Sequence, residues 1–182
     1  ATGVGGVVRD VYCMGADVIG ILDSLHFGLD SKHNQPVVDH IAEQVVLGIA
    51  DYCNPLGVPN VGGETIYHSS YNDNCLVNVA AIGLVKESRI IRSRVPKNAA
   101  SEDYVMILIG KTTDSTGYGG ASFSSAVLDA SNDQQNLGAV QVHDPFIKRL
   151  LVVSIEAMLG YVHQHNIDIG FKDLGAGGIS CA

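Results

Sequence analysis

The sequence predicts an α/β (α+β) fold in two units, and three observations lead to this prediction. Short apolar segments typical of strands alternate with longer segments of helical periodicity. Glycine is frequent, with 21 residues in 182, and it often stands between these segments, as in turns. The composition becomes polar and basic over residues 86–103, so we expect a connection there between a unit at 1–85 and one at 104–182.

Composition excludes several functional classes. The net charge of −8 disfavours general attraction to nucleic acid or to an anionic membrane. The sequence has neither a run of about 20 apolar residues nor a basic, apolar secretory segment. The four cysteines are far apart and lack paired metal spacing, so we expect reduced thiols in a cytoplasmic protein.

Residues 1–10, ATGVGGVVRD, predict a glycine loop that enters a helix. The beginning of a helix offers unpaired N–H donors and a positive dipole end to an anion. Beside such a loop, Arg9 and Asp10 are candidates for a phosphate-binding and a metal-binding group. The alternative is an ordinary solvated Arg–Asp pair.

The remaining elements of the first unit follow from apolar periodicity. Val18–Leu22 and Thr65–His68 are predicted strands, and Pro36–Tyr52 is a predicted amphipathic helix. Leu76–Val85 is almost continuously apolar, which indicates a strand buried on both faces. Glu64 follows two glycines, and we expect it to bond backbone amides rather than support a metal.

The second unit repeats this alternation. Tyr104–Gly110 is a predicted buried strand, Ala121–Leu128 a helix, and Ile167–Phe171 a short strand that ends near Asp173. Ile147–Tyr161 is a predicted helix. Its predicted apolar face comprises Ile147, Leu150, Leu151, Ser154, Ile155 and Met158. Asp173 precedes a glycine-rich turn. A carboxylate in this position either binds Mg²⁺ together with phosphate oxygens or caps backbone N–H groups.

Several motifs occur together in a characteristic order. They are ATGVGGVVRD at 1–10, DSLHFG at 23–28, GVPNVGGE at 57–64, GGASF at 119–123, VQVHDPF at 140–146 and KDLGAGGIS at 172–180. Together they resemble phosphoribosylformylglycinamidine synthase, the formylglycinamide ribonucleotide amidotransferase, and specifically the first half of its synthetase portion. The resemblance extends over essentially the whole chain.

This resemblance implies a fold, an activity and a site. The expected fold is an aminoimidazole-ribonucleotide-synthetase-like N-terminal domain followed by the beginning of its C-terminal partner domain. The expected activity is ATP-dependent amidine formation on formylglycinamide ribonucleotide, with ammonia from a glutaminase domain or subunit. Arg9 and Gln141 would bind the substrate, and Asp10 and Asp173 would bind Mg²⁺. The catalytic histidine is expected upstream of Ala1, so this chain alone is predicted to be inactive.

The resemblance also implies a dimer or pseudo-dimer through the N-terminal domains, and two alternative functions remain open. One is another ATP-dependent enzyme of the superfamily, of the thiamine-monophosphate kinase or selenophosphate synthetase type. The other is a non-catalytic binding or assembly module of the same fold. Binding measurements beside an activity assay separate this last alternative from the ligase.

Overall fold

The computed structural model describes residues 1–29, 35–72, 74–111 and 141–175. The helices and strands in these ranges are α1 (Thr2–Cys13), β1 (Asp17–Phe27), α2 (Gln35–Leu56), β2 (Asn60–Tyr67), β3 (Leu76–Leu84) and α3 (Pro145–Gln164). Short 3₁₀ turns lie at Ser69–Tyr71, Glu87–Arg89 and Lys97–Ala100. The predicted α/β class is confirmed. Within the described ranges, none of the helices has the length and apolar character that a membrane crossing requires.

The three strands form one mixed sheet in the order β2-β1-β3. β1 pairs in parallel with β2, and α2 provides the crossover that a parallel connection needs. β1 pairs antiparallel with β3. Ser24 at the centre of the sheet therefore stands opposite Glu64 on one side and Asn78 on the other.

The core lies between the helices and one face of the sheet. Val8 of α1 and Ile21 of β1 are fully buried, and Val152 of α3 joins the same cluster. Gly5 of α1 faces the ring of Tyr52 in α2 so closely that a Cβ at Gly5 would overlap the ring. This glycine therefore allows α1 and α2 to approach each other.

The opposite face of the sheet is open in the described part of the chain. Strand side chains alternate between the two faces of a sheet, so Leu22 lies on the other face from Ile21. By strand register, the face of Leu22 also carries Ile66, Leu76 and Ile82. These large side chains are 37–44% exposed. The predicted burial of Leu76–Val85 on both faces is therefore wrong. β3 is an edge strand of a sheet whose described helices pack on one face.

Two further predicted strands are not observed. Residues 104–110 form no strand, and Met106 is 92% exposed, because no described strand pairs with this segment or covers it. Ile167–Phe171 contributes only an isolated bridge, between Gly170 and Arg92. The predicted helix Ala121–Leu128 lies outside the described residues.

The helices differ from prediction mainly at their ends and faces. α1 begins at Thr2, with the Ala1 carbonyl accepting hydrogen bonds from Val4 and Gly5, so the predicted glycine loop is wrong and its glycines lie within the helix. α2 is longer than predicted and extends past Pro55 to Leu56. The face that α3 buries is rotated from the predicted one. It comprises Lys148, Val152, Ile155, Leu159 and Val162, whereas Leu150 is 52% exposed.

Candidate phosphate and metal site

The side chains of Arg9 and Asp173 meet although they are far apart in sequence. Arg9 Nη2 lies 3.0 Å from Asp173 Oδ2, and Arg9 Nε donates to the same oxygen at 3.1 Å. α1 supplies the arginine, and the chain after α3 supplies the carboxylate. The other carboxylate oxygen, Oδ1, lies 3.7 Å from Lys172 Nζ. Asp173 therefore has cations on both of its oxygens.

Asp10 joins this pair, and its carboxyl group lies next to that of Asp173. Partial burial, the hydrogen bond with Asp173 and the Asp173 charge together raise the pKa of Asp10 above its usual value. Burial acts to raise the pKa of Asp173 as well, but the hydrogen bond with Asp10 and the charge and hydrogen bond of Arg9 outweigh it and lower that pKa. Within the pair, the pKa of Asp10 is therefore raised and the pKa of Asp173 is lowered.

Gln141 lies at the beginning of α1 and not beside the carboxyl pair. Its backbone carbonyl accepts a hydrogen bond from Thr2 Oγ1 at 3.2 Å. Thr2 and Arg9 are seven residues apart on α1, which corresponds to about 10 Å along the helix axis. The structure thus groups Arg9, Asp10 and Asp173 directly and places Gln141 about two helical turns away.

The described residues leave the surface of α1 at Gly3 and Gly6 uncovered. Thr2, Gly6 and Arg9 are four and three residues apart and share one face of the helix. A Cβ at Gly3 or Gly6 would have no described atom within 4 Å. Contacts among the described residues therefore do not require glycine here, and an open face leaves the α1 backbone accessible to a ligand.

Lys148 is a buried cation next to this cluster. It is 8% exposed and is the one charged or polar residue among the buried described residues. Burial lowers its pKa to about 8, with a further contribution from the Arg9 charge, while Cys13, Asp173 and Asp10 act in the opposite direction. Burial and the Asp173 charge raise the pKa of the neighbouring Cys13 thiol to about 11, so Cys13 is an unreactive thiol.

The sequence prediction missed the position of Lys148, although a signal for it was present. Lys148, Val152 and Ile155 have spacings of four and three, and Leu159 and Val162 continue the same stripe along α3. Lys148 occupies the first position of this stripe, where an apolar residue is ordinary. A lysine at a core position of an amphipathic helix indicates a special environment.

A second polar group lies on the open face of the sheet. Ser24 Oγ donates to Glu64 Oε1 at 2.9 Å and lies 2.8 Å from His26 Nε2. Glu64 thus bonds a side-chain hydroxyl rather than the backbone amides that we expected. His26 Nδ1 is enclosed and has no hydrogen-bond partner in the described structure. This row divides the apolar open face and is separate from the Arg9 cluster by strand position.

A cavity of the described structure lies away from the Arg9 cluster. It measures about 510 Å³ and lies at the C-terminal end of α1, where Tyr12, Lys86, Glu156 and His163 are among its lining residues. Arg9, Asp10 and Asp173 do not line it. The candidate site is therefore identified by converging charges rather than by cavity size.

The carboxyl pair is chemically suited to Mg²⁺. Two adjacent carboxyl groups provide the hard oxygen ligands that Mg²⁺ prefers. Among the described residues, three or more His, Cys, Asp or Glu side chains do not come together at any potential metal site. An ion at Asp10 and Asp173 would therefore complete its shell with water or with ligand oxygens, as Mg²⁺ commonly does.

Comparison with known proteins first defines the class. Residues 1–85 match the family model described as AIR synthase related protein, N-terminal domain. These residues include α1, α2 and the whole three-stranded sheet. The first unit of the chain is thus an AIR-synthase-related N-terminal domain, as the motifs implied.

The full chain identifies the family more closely. It is 47% identical over 182 residues to the phosphoribosylformylglycinamidine synthase subunit PurL of Methanothrix thermoacetophila, and 41% identical over 183 residues to that of Pyrococcus furiosus. The solved structure of T. maritima PurL complexed with FGAR has a TM-score of 0.72 and 36% identity, and the match covers 98% of this chain and 26% of that one. The chain is therefore similar over its whole length to a fragment of PurL. It spans 24% of the length of these two curated relatives.

Proposed function

We propose that the chain is part of an ATP-dependent carbon–nitrogen ligase. This ligase converts formylglycinamide ribonucleotide to formylglycinamidine ribonucleotide in purine biosynthesis. The observation that carries the proposal is the similarity of the entire chain to PurL subunits, combined with a charged cluster at Arg9, Asp10 and Asp173. The T. maritima relative has been solved in complexes with FGAR and with ATP.

Arg9 and Gln141 are proposed to bind the ribonucleotide. They lie at the two ends of an open strip of α1, about 10 Å apart along the helix axis. A ribonucleotide spans a comparable length. The Arg9 guanidinium already bonds Asp173 through Nε and Nη2, so its remaining N–H groups are available to a ligand oxygen.

Asp10 and Asp173 are proposed to bind Mg²⁺ that accompanies ATP. The ion would neutralise charge on phosphate oxygens during transfer. Arg9 holds Asp173 in place, and the carboxyl group of Asp10 lies next to it, so both carboxyl groups could bind one ion.

The nucleophile is proposed to be ammonia from a glutaminase domain or subunit. A related structure is that of PurLQS from Thermotoga maritima, with 33% identity to this chain. We also propose that the chain divides into a domain at 1–85, a connection at 86–103 and the beginning of a second domain at 104–182. The family model ends at residue 85, which supports the first boundary.

The open face of the sheet is proposed to pair with a second sheet of the same kind, in a dimer or pseudo-dimer. Leu22, Ile66, Leu76 and Ile82 share this face and are 37–44% exposed. A face this apolar is typical of an interaction surface. The row formed by Ser24, His26 and Glu64 would fix the register of the two sheets.

The test is an assay of the complete gene product that carries this chain. Asp10→Asn and Asp173→Asn are expected to reduce Mg-ATP-dependent conversion of formylglycinamide ribonucleotide by at least about tenfold with ammonium as the nitrogen source. Glu43→Gln removes an exposed acid of α2 and serves as the matched control. A wild-type protein that binds ribonucleotide and ATP without turnover would favour the non-catalytic module.

A further inference from the structure

Lys148 combines burial with the absence of a counter-ion contact. Its side chain is more than nine-tenths buried, yet its ammonium makes no ion pair or hydrogen bond with the described residues. An ammonium without partners is costly in such a place.

The charges around Lys148 leave the cluster with an excess of positive charge. Arg9, Lys148 and Lys172 are cations, and Asp10 and Asp173 are the nearby carboxyl groups. The Arg9 charge contributes to the lowered pKa of Lys148, so the two side chains lie near each other. Arg9 contacts the Asp173 carboxylate, whereas Lys148 contacts no described carboxylate, so the excess of cations leaves a place for an anionic ligand.

We propose that the Lys148 ammonium binds a phosphate group of the ligand in this site, together with Arg9. The proposal rests on the proposed function, because the ligand is then the ribonucleotide substrate or ATP. Both carry phosphate, and a lysine binds phosphate as a compact charge with three donors. The pKa of Lys148, about 8, leaves the amine mostly protonated at neutral pH.

The test is ligand binding by the complete gene product, measured by isothermal titration calorimetry. The probes are formylglycinamide ribonucleotide, the corresponding riboside without phosphate, Mg-ATP and inorganic phosphate. Lys148→Met keeps a side chain of similar length in the buried position and removes the charge. Lys148→Gln is the second variant. Lys97→Met removes the same charge from an exposed position outside the cluster and is the matched control.

Lys148→Met is expected to weaken binding of the ribonucleotide or of Mg-ATP by about tenfold or more. Binding of the riboside is expected to stay within twofold of wild type, and so is every affinity of Lys97→Met. If the ribonucleotide is the affected ligand, its phosphate is the group bound, and if Mg-ATP is affected, the nucleotide phosphate is.

Other results would overturn the proposal or separate it from the proposed function. Lys148 is not a phosphate ligand if both folded variants bind the ribonucleotide, Mg-ATP and inorganic phosphate within twofold of wild type. The wild-type protein could instead bind inorganic phosphate in a Lys148-dependent way but bind neither the ribonucleotide nor Mg-ATP. This result would support Lys148 as a phosphate ligand and refute the ligase function. A wild-type protein that binds none of the probes would refute both.

Discussion

Two adjacent glycines of α1 are expected to respond in opposite ways to the same substitution. Gly5 and Gly6 both lie in the helix interior, where alanine is favoured over glycine by about 1 kcal/mol. At Gly6 an added Cβ meets no described atom within 4 Å. At Gly5 it overlaps the ring and hydroxyl of Tyr52, which is 5% exposed. The local environment therefore decides whether a Gly→Ala substitution raises or lowers the free energy of unfolding.

The magnitudes follow from these contacts. Gly6→Ala is expected to raise the free energy of unfolding by about 1 kcal/mol, because only the gain in helix propensity applies. Gly5→Ala receives the same gain, but overpacking in a dense core costs about 1–3 kcal/mol, and Tyr52 has little room to move. We expect a net loss of about 1–2 kcal/mol. For a protein of this size, 1 kcal/mol shifts Tm by about 2–4 °C.

Thermal and urea denaturation of the purified chain and of both variants provide the measurement. Gly6→Ala should also weaken ligand binding in the complete gene product, because its methyl group occupies the open strip of α1 beside Arg9. Higher stability with lower affinity would indicate a glycine retained for ligand access. Equal shifts of both variants in the same direction would refute this account of α1.

Three further predictions concern charge and the open face. Asp10→Asn should weaken Mn²⁺ binding, measured by electron paramagnetic resonance, by at least about tenfold. The same substitution should change Tm by less than about 3 °C. An unchanged Mn²⁺ affinity would exclude Asp10 as a metal ligand. Between pH 8 and 9 the free energy of unfolding should rise by up to about 1.4 kcal/mol per pH unit, because the folded state has released the Lys148 proton that the unfolded chain retains up to about pH 10.5. Lys148→Met should remove this pH dependence. Above pH 9 the raised pKa of Cys13 should lower the free energy of unfolding, because the thiol ionises first in the unfolded chain. Leu22→Lys should shift any dimer to monomer in analytical ultracentrifugation. Leu47→Lys, at an exposed position of α2, should leave the dimer unchanged. Equal effects of the two substitutions would argue against pairing of the sheets.

Local pattern was sufficient for much of the fold. The cores of β1, α2 and β3 follow from runs of apolar residues and from helical spacing, which depend on neighbours in sequence. Burial was less predictable because it depends on what lies opposite. Residues 104–110 are as apolar as a central strand, yet they are exposed where no described strand pairs with them. The predicted face of α3 was rotated because apolar residues also occur outside its buried stripe.

The site was predictable only in part. Arg9 and Asp10 stand out because they follow a glycine-rich segment, and Asp173 because it precedes one. Periodicity cannot indicate that Arg9 and Asp173 touch, since that contact depends on how α3 packs against the first unit. Lys148 was not included in the predicted apolar face, although its spacing to Val152 and Ile155 indicated the core.

The contact between Arg9 and Asp173 also has a consequence for the order of folding. It joins residues 164 positions apart, and closing a loop of that length costs about 4–5 kcal/mol of chain entropy. A partly exposed ion pair contributes about 1 kcal/mol or less, so it cannot bring these segments together by itself. Packing of Val152 and its neighbours must come first, and the site assembles late. Ligands that bridge the two side chains should therefore slow unfolding far more than they accelerate folding.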